Sequence, residues 1–202
     1  AGFYGSPRDS GIGGSGEAIA GNLWSVLCPT PSGHGYWAVA SDGRVRAYGD
    51  ATPYSDLSLS AGRWVSGGHA LVDGHGLFIS ETNGVIHVRG AAVHYGNYTK
   101  SSLAGGINVA SVVPTMTGDG YWILAADGHV QARGAAVFHG ETTTMPVGIE
   151  GIFLAFDQII VNGTDDGYLL VQMGGAVYPH GTIEFFGSPS TSETLRSPGN
   201  YL

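Results

Sequence analysis

The sequence predicts an all-β fold of four tandem four-stranded repeats, a four-bladed β-propeller with a surplus N-terminal strand. Three observations carry that expectation. A twenty-one-residue frame recurs four times without an insertion, opening at Gly35, Gly76, Gly120 and Gly167. Glycine returns inside it at the ninth position (Gly43, Gly84, Gly128, Gly175), the fifteenth (Gly49, Gly90, Gly134, Gly181) and the last (Gly96, Gly140, Gly187, with Ser55 in the first copy). Successive frames begin 41, 44 and 47 residues apart. Four strands in a period of about 40 to 50 residues describe a propeller blade, whose sheets stack because none can bury its faces alone.

Within each repeat the elements follow in order. Ahead of the opening glycines, LCPTPSGH, GHALVDGH, VVPTMTGD and IIVNGTDD align without gaps and supply a first strand. YWAVAS, LFISET, YWILAA and YLLVQM supply the second, and VRAY, VIHV, HVQAR and AVYPH the third. Between them stand Asp42-Gly43, Asn83-Gly84, Asp127-Gly128 and Gly174-Gly175. Such pairs favour a two-residue hairpin whose turn residues both take positive φ. TPYS, VHYG, VFHG and EFFG then form a short closing strand. The blades span about 22–56, 63–97, 107–141 and 152–188, in one domain over 1–188.

Flanking this core, residues 1–6 (AGFYGS) match a closing strand, as in FFGS at 185–188. Such a strand either closes the ring against a terminal blade, or is the remnant of a preceding repeat or a strand lent to a neighbouring subunit. Residues 7–21 read as a Gly/Ser linker. The run Gly13-Gly14-Ser15-Gly16 is no nucleophile elbow, because Glu17 stands where glycine is needed, and no Gly-Lys-Ser/Thr follows it. Residues 189–202, polar with two prolines, read as a C-terminal arm.

Composition narrows the function classes. Only 12% of residues are charged, and the net charge is −8 with eight Lys and Arg scattered singly. That argues against nucleic acid, which binds clustered cations. No apolar run approaches the roughly 20 residues of a membrane-spanning helix, and no signal peptide is visible from Ala1. The single cysteine, Cys28, aligns with Val113 and Ile160 and reads as a buried strand thiol.

GHGYWAVASDGRVRAYGDATPYS and GDGYWILAADGHVQARGAAVFHG resemble the glycine-aromatic repeats, roughly GYWxVAxDGGVFxFGDAxFYGS, of actinobacterial secreted and cell-wall-associated proteins and of tail or fibre proteins of their phages. The resemblance covers most of 24–188. Copy two departs from it at Leu77-Phe78 and copy four at Gly174-Gly175. It implies a propeller-like binding or structural module and supplies no catalytic residue.

Candidate chemistry falls in three groups. His34 and His75 precede their opening glycines where the other copies carry Asp119 and Asp166. In a closed ring these four could converge on an axial cation, against the plainer reading of polar residues in exposed turns. Asp165-Asp166, Asp42, Asp50, Asp127 and Glu141 could supply the carboxylate pair of a glycan hydrolase, but most occupy turn positions where aspartate serves the backbone. The adjacent pairs Tyr36-Trp37 and Tyr121-Trp122 read as core, and Trp24 and Trp64 as wedges between blades. Tyr54, His94, Tyr95, Phe138, His139 and Tyr98 are expected where a propeller is most exposed, suited to the apolar faces of sugars. Arg89 and Arg133 share a frame position able to meet acidic groups. The candidate ligand-binding set is therefore Tyr54, Arg89, His94, Tyr95, Tyr98, Arg133 and His139.

The sequence thus points to a non-enzymatic module, extracellular, at a cell surface or on a virion, that binds a cell-surface or cell-wall glycan or a partner protein. The alternative is a structural subunit of a phage tail, fibre or extracellular appendage, assembling through its N-terminal strand and C-terminal arm. A homo-oligomer or larger assembly is compatible with either, and no cofactor or catalytic residue is expected.

Overall fold

The computed structural model describes residues 24–99, 108–143, 153–161, 164–172, 175–183 and 186–187. The predicted N-terminal strand at 1–6, the linker at 7–21 and the arm at 189–202 lie outside the described residues. The fold is all-β and propeller-like, with four antiparallel sheets in chain order among the described residues. The first contains β1 (Trp24–Pro29), β2 (Gly35–Ala40) and β3 (Val45–Gly49). The second contains β4 (Val65–Ala70), β5 (Gly76–Glu81) and β6 (Ile86–Gly90). The third contains β7 (Val109–Pro114), β8 (Gly120–Ala125) and β9 (Val130–Gly134). The fourth contains β10 (Phe153–Val161), β11 (Thr164–Gln172) and β12 (Val177–Gly181).

The frame pairs as its glycines require. Gly35 faces Gly49, Gly76 faces Gly90, Gly120 faces Gly134 and Gly167 faces Gly181 across the second and third strands. Gly134 shows why no side chain fits there. Its φ is +63°, and a Cβ would press on the Asp119 carbonyl and on Gly120 Cα.

Two local expectations are corrected. The hairpin between second and third strands is a three-residue loop, not a two-residue one. Ala40 N–H donates to the Arg44 carbonyl, Gly43 N–H donates to the Ala40 carbonyl, and Gly43 alone of Asp42-Gly43 supplies the left-handed φ, +94°. This is a turn closed by a glycine bulge. The same bonds recur at Glu81–Val85, Ala125–His129 and Gln172–Ala176. The residue before the glycine acts through its side chain. Asp42, Asn83 and Asp127 Oδ1 accept the N–H two residues on, from Arg44, Val85 and His129, a local cap that favours Asp and Asn here.

The second correction concerns the closing strand. Among the described residues each sheet has three strands, and TPYS, VHYG and VFHG carry no ladder pairing. Each is an extended segment that returns from the third strand to the hairpin loop of its own repeat. Leu57, Tyr98 and Thr142 N–H donate to the Gly43, Gly84 and Gly128 carbonyls. The first N–H of the third strand is then met by a side chain instead of a fourth strand. Val45 N–H donates to Asp56 Oδ1, Ile86 N–H to Asn97 Oδ1 and Val130 N–H to Glu141 Oε2.

The sheets pack face to face in sequence. Residues of β2, β5 and β8 are nearly all buried, since successive side chains point to opposite faces and each face meets a neighbouring sheet. Trp37 and Val39 meet Leu77 and Ile79 in one core. Phe78 meets Tyr121 and Ile123 in a second. Trp122 and Leu124 meet Tyr168 and Leu170 in a third. Among the described residues these three junction cores have no fourth counterpart between the last sheet and the first. β1 packs on β4, β4 on β7 and β7 on β10, with no comparable contact from β10 to β1. Among the described residues the four sheets form an open run.

Register also revises two equivalences. Trp24 pairs with Ala40 as Val65 does with Glu81 and Val109 with Ala125. Trp64 therefore lies one residue before the wedge position, and it is 53% exposed. In the fourth repeat β10 and β11 pair down to Val161 and Thr164, without the five-residue connection of the other copies. This tighter hairpin shifts the alignment, so Asp157, not Ile160, holds the place of Cys28 and Val113 opposite the second strand.

Candidate functional site

The residues singled out in the sequence converge on the junctions between repeats. At each junction the closing segment of one repeat lies against the next. Tyr54 stacks on Trp37 of its own sheet, with centroids 6.0 Å apart, and its hydroxyl donates to the His75 carbonyl of the next repeat at 3.0 Å. Tyr95 packs against Tyr121 at 6.0 Å. His139 sits between Trp122 at 6.4 Å and Tyr168 at 5.6 Å. The indoles of Trp37 and Trp122 hold the segments of their own repeats, donating to the Thr52 and Val137 carbonyls at 2.7 Å each.

The next repeat grips the segment by its backbone. Tyr121 Oη donates to the Gly96 carbonyl at 2.6 Å and accepts from Tyr95 N–H at 3.0 Å. Tyr168 repeats the arrangement with Gly140 and His139. Burial pushes the Tyr121 phenol above its ordinary value and Tyr168 to about 12, so both remain neutral donors. Arg89 donates to the Ser55 and Asp56 carbonyls, and Arg133 to the Asn97 carbonyl. At the same frame position His180 Nε2 lies 2.9 Å from Thr142 Oγ1.

Of the seven candidate ligand residues, six are thus engaged in packing within and between repeats. Tyr98, expected on the surface, is only 4% exposed and belongs to the core between sheets two and three. Its frame position continues the repeat, since Leu57 does the same work one repeat earlier. His94 is the exposed member, with Nε2 3.0 Å from Asn97 Oδ1.

What the closing segments leave in solvent is a row of apolar side chains next to the packed aromatics. Val93 is 50% exposed, Val137 60% and Phe138 52%. Val93 and Val137 occupy equivalent positions in consecutive repeats, as do His94 and Phe138. Strand alternation accounts for the outward His94 and Phe138 in this row. In an extended segment alternate side chains point oppositely, so burying Tyr95 and His139 turns His94 and Phe138 outward.

The carboxylates are occupied locally. Asp50 accepts from Thr30 and Ser32 hydroxyls at 2.8 and 2.5 Å, and Asp119 from Thr115 and Thr117 at 2.9 and 2.6 Å. These bonds hold both carboxyls below the usual value. Two different frame positions therefore supply one turn-fixing carboxylate, because His34 fills in repeat one the place of Asp119. Asp42 pairs with Arg44, and Glu141 caps Val130. His34 and His75 are exposed turn residues, and no cluster of three metal-type ligands occurs among the described residues. The Asp166 side chain lies outside the described residues. Burial pushes the Cys28 thiol up to about 12, beside the Gly68 carbonyl.

One polar cluster is not among the expected sites. Glu81 is fully buried where the other copies have Ala40, Ala125 and Gln172. It lies 2.6 Å from His87 Nε2 and accepts Ser60 N–H at 3.2 Å. Comparing that column across copies would have marked it, because a carboxylate replaces alanine there.

No family model matches the chain, and no curated protein matches it. Among solved structures it is similar to the β-propeller domain of Cps50 (Swd1) from Myceliophteria thermophila, with TM-score 0.53 and 11% identity over 77% of this chain and 50% of that one. That likeness and the four stacked sheets define a propeller-like repeat protein. The chain spans about half the length of the propeller it matches.

Proposed function

We propose that this chain is a non-enzymatic recognition module of a cell surface or virion, which binds a cell-surface or cell-wall glycan along the exposed edge of its closing segments. The observation that carries the reading is the row Val93, His94, Val137 and Phe138, solvent-facing at equivalent positions of consecutive repeats while its neighbours are committed to packing. Apolar and aromatic surface beside a polar ring suits the carbon faces of sugars, and a repeated spacing suits a polymer. The local engagement of Asp42, Asp50, Asp119 and Glu141 supports binding over hydrolysis.

Retention on insoluble cell-wall polysaccharide tests this. Replacing Val93, Val137 and Phe138 together with serine is expected to abolish retention while leaving thermal unfolding unchanged, because none of the three belongs to a junction core. Retention equal to the parent protein removes the glycan assignment, and loss of binding to a partner protein instead redirects the edge to protein recognition.

A further inference from the structure

The run of sheets ends in two faces that complement each other. Phe186 of the last closing segment is 89% exposed, yet it occupies the frame position of Tyr54, Tyr95 and His139, each of which packs at a junction with the following repeat. The adjoining Gly187 has φ +123°, matching +121° at Gly96 and +120° at Gly140, the two glycines whose carbonyls take the tyrosine hydroxyls of the following repeat. The last segment is thus already shaped for a sheet that follows it. Behind it, Leu169 and Val171 of β11 are half-buried, whereas their equivalents Trp37, Phe78, Trp122, Val39, Ser80 and Leu124 are fully covered.

The first sheet presents the receiving half. Leu27 of β1 is 67% exposed, while its equivalent Val112 is wholly buried against the preceding sheet. Each internal junction joins a closing segment to just such a face, so one chain carries both halves of a fourth junction at opposite ends.

We propose that two copies of this chain join end to end, the Phe186–Gly187 segment of each seated on the first sheet of the other, so that two runs of four sheets complete one ring. A second copy fits better than a looser partner because the junction chemistry is already made three times within the chain. A heterologous contact of this kind closes when rotation brings the ends together. The proposal is independent of what the closing-segment edge binds.

Light scattering on the full chain across a dilution series tests it. The expected mass is twice the 20.8 kDa of one chain. Leu27→Glu and Phe186→Glu, both at exposed positions, are each expected to return the mass to one chain with an unchanged circular dichroism spectrum. Mixing the two variants is expected to restore the doubled mass, because the pair retains one intact junction, an outcome a head-to-head contact cannot give. Three results overturn the proposal. They are a single-chain mass at about 100 μM, far above a typical specific dissociation constant, a mass that rises without limit on concentration, and a single-chain protein that dimerises only when residues 1–6 are deleted. The last would assign the first face to the chain's own Phe3-Tyr4-Gly5-Ser6.

Discussion

Tyr121→Phe isolates the hydrogen bonding that joins one repeat to the next. The ring is fully buried and its packing on Phe78, at 5.0 Å between centroids, is kept. Only the hydroxyl is lost, and with it a bond to the Gly96 carbonyl and one from Tyr95 N–H. Each intramolecular bond contributes about 1 kcal/mol net, and a stranded backbone group costs about 1 to 3 kcal/mol where water is excluded. Gly96 and Tyr95 are half-buried, so solvent recovers part of that loss. The balance is about 2 kcal/mol, which for a chain of this size lowers Tm by about 4 to 8 °C. Tyr54→Phe removes one hydroxyl bond at a more exposed site, and its expected cost is about half as large. Urea midpoints at unchanged slope, with thermal scans, measure both. Equal effects of the two substitutions, or a Tyr121→Phe shift below about 1 °C, would refute the claim that a buried hydroxyl secures the segment.

Two further outcomes follow from the same geometry. Gly62 and Gly134 share a left-handed φ, +68° and +63°, but a Cβ meets nothing within 4 Å at Gly62 and meets backbone atoms at Gly134. Gly62→Ala should cost about 1 kcal/mol of conformational strain, and Gly134→Ala several times that by urea unfolding, so equal losses would sink the close-approach argument. Burial holds the His180 imidazole below its ordinary value of 6.5, with Glu141 opposing and His139 reinforcing the shift. The folded state therefore binds that proton less readily than the unfolded chain, and its contribution is full above the ordinary value and lost as pH falls toward the lower folded one. Between about pH 7.5 and 5.5 the urea midpoint of His180→Gln should fall less than that of the parent, and identical declines would show that other groups govern the change.

Much of the fold could be read from the frame because its information lies in backbone geometry. Gly43, Gly84, Gly128 and Gly175 mark a conformation that other residues adopt only with strain, so recurrence alone located the hairpins. What Asp42 does for its turn was less legible, since a side-chain cap and a positive φ favour the same residue types. The candidate site was read less well. Tyr95, His139 and Tyr98 stand out in the sequence as aromatic rings near a strand end, and sequence alone does not say whether such a ring faces solvent or the next repeat. His94 and Phe138, their immediate neighbours, face outward.

By itself the sequence determined an all-β run of four sheets, the position of the glycine hairpin in each and the apolar second strand at its centre, because these follow from local φ preferences and alternation along one strand. Only the tertiary structure decided that the closing segments lie between sheets without joining a ladder, and that among the described residues Leu27 and Phe186 are left exposed at the two ends of the run. Those outcomes depend on how one sheet's face meets the next, a relation between residues some forty positions apart that no single repeat encodes.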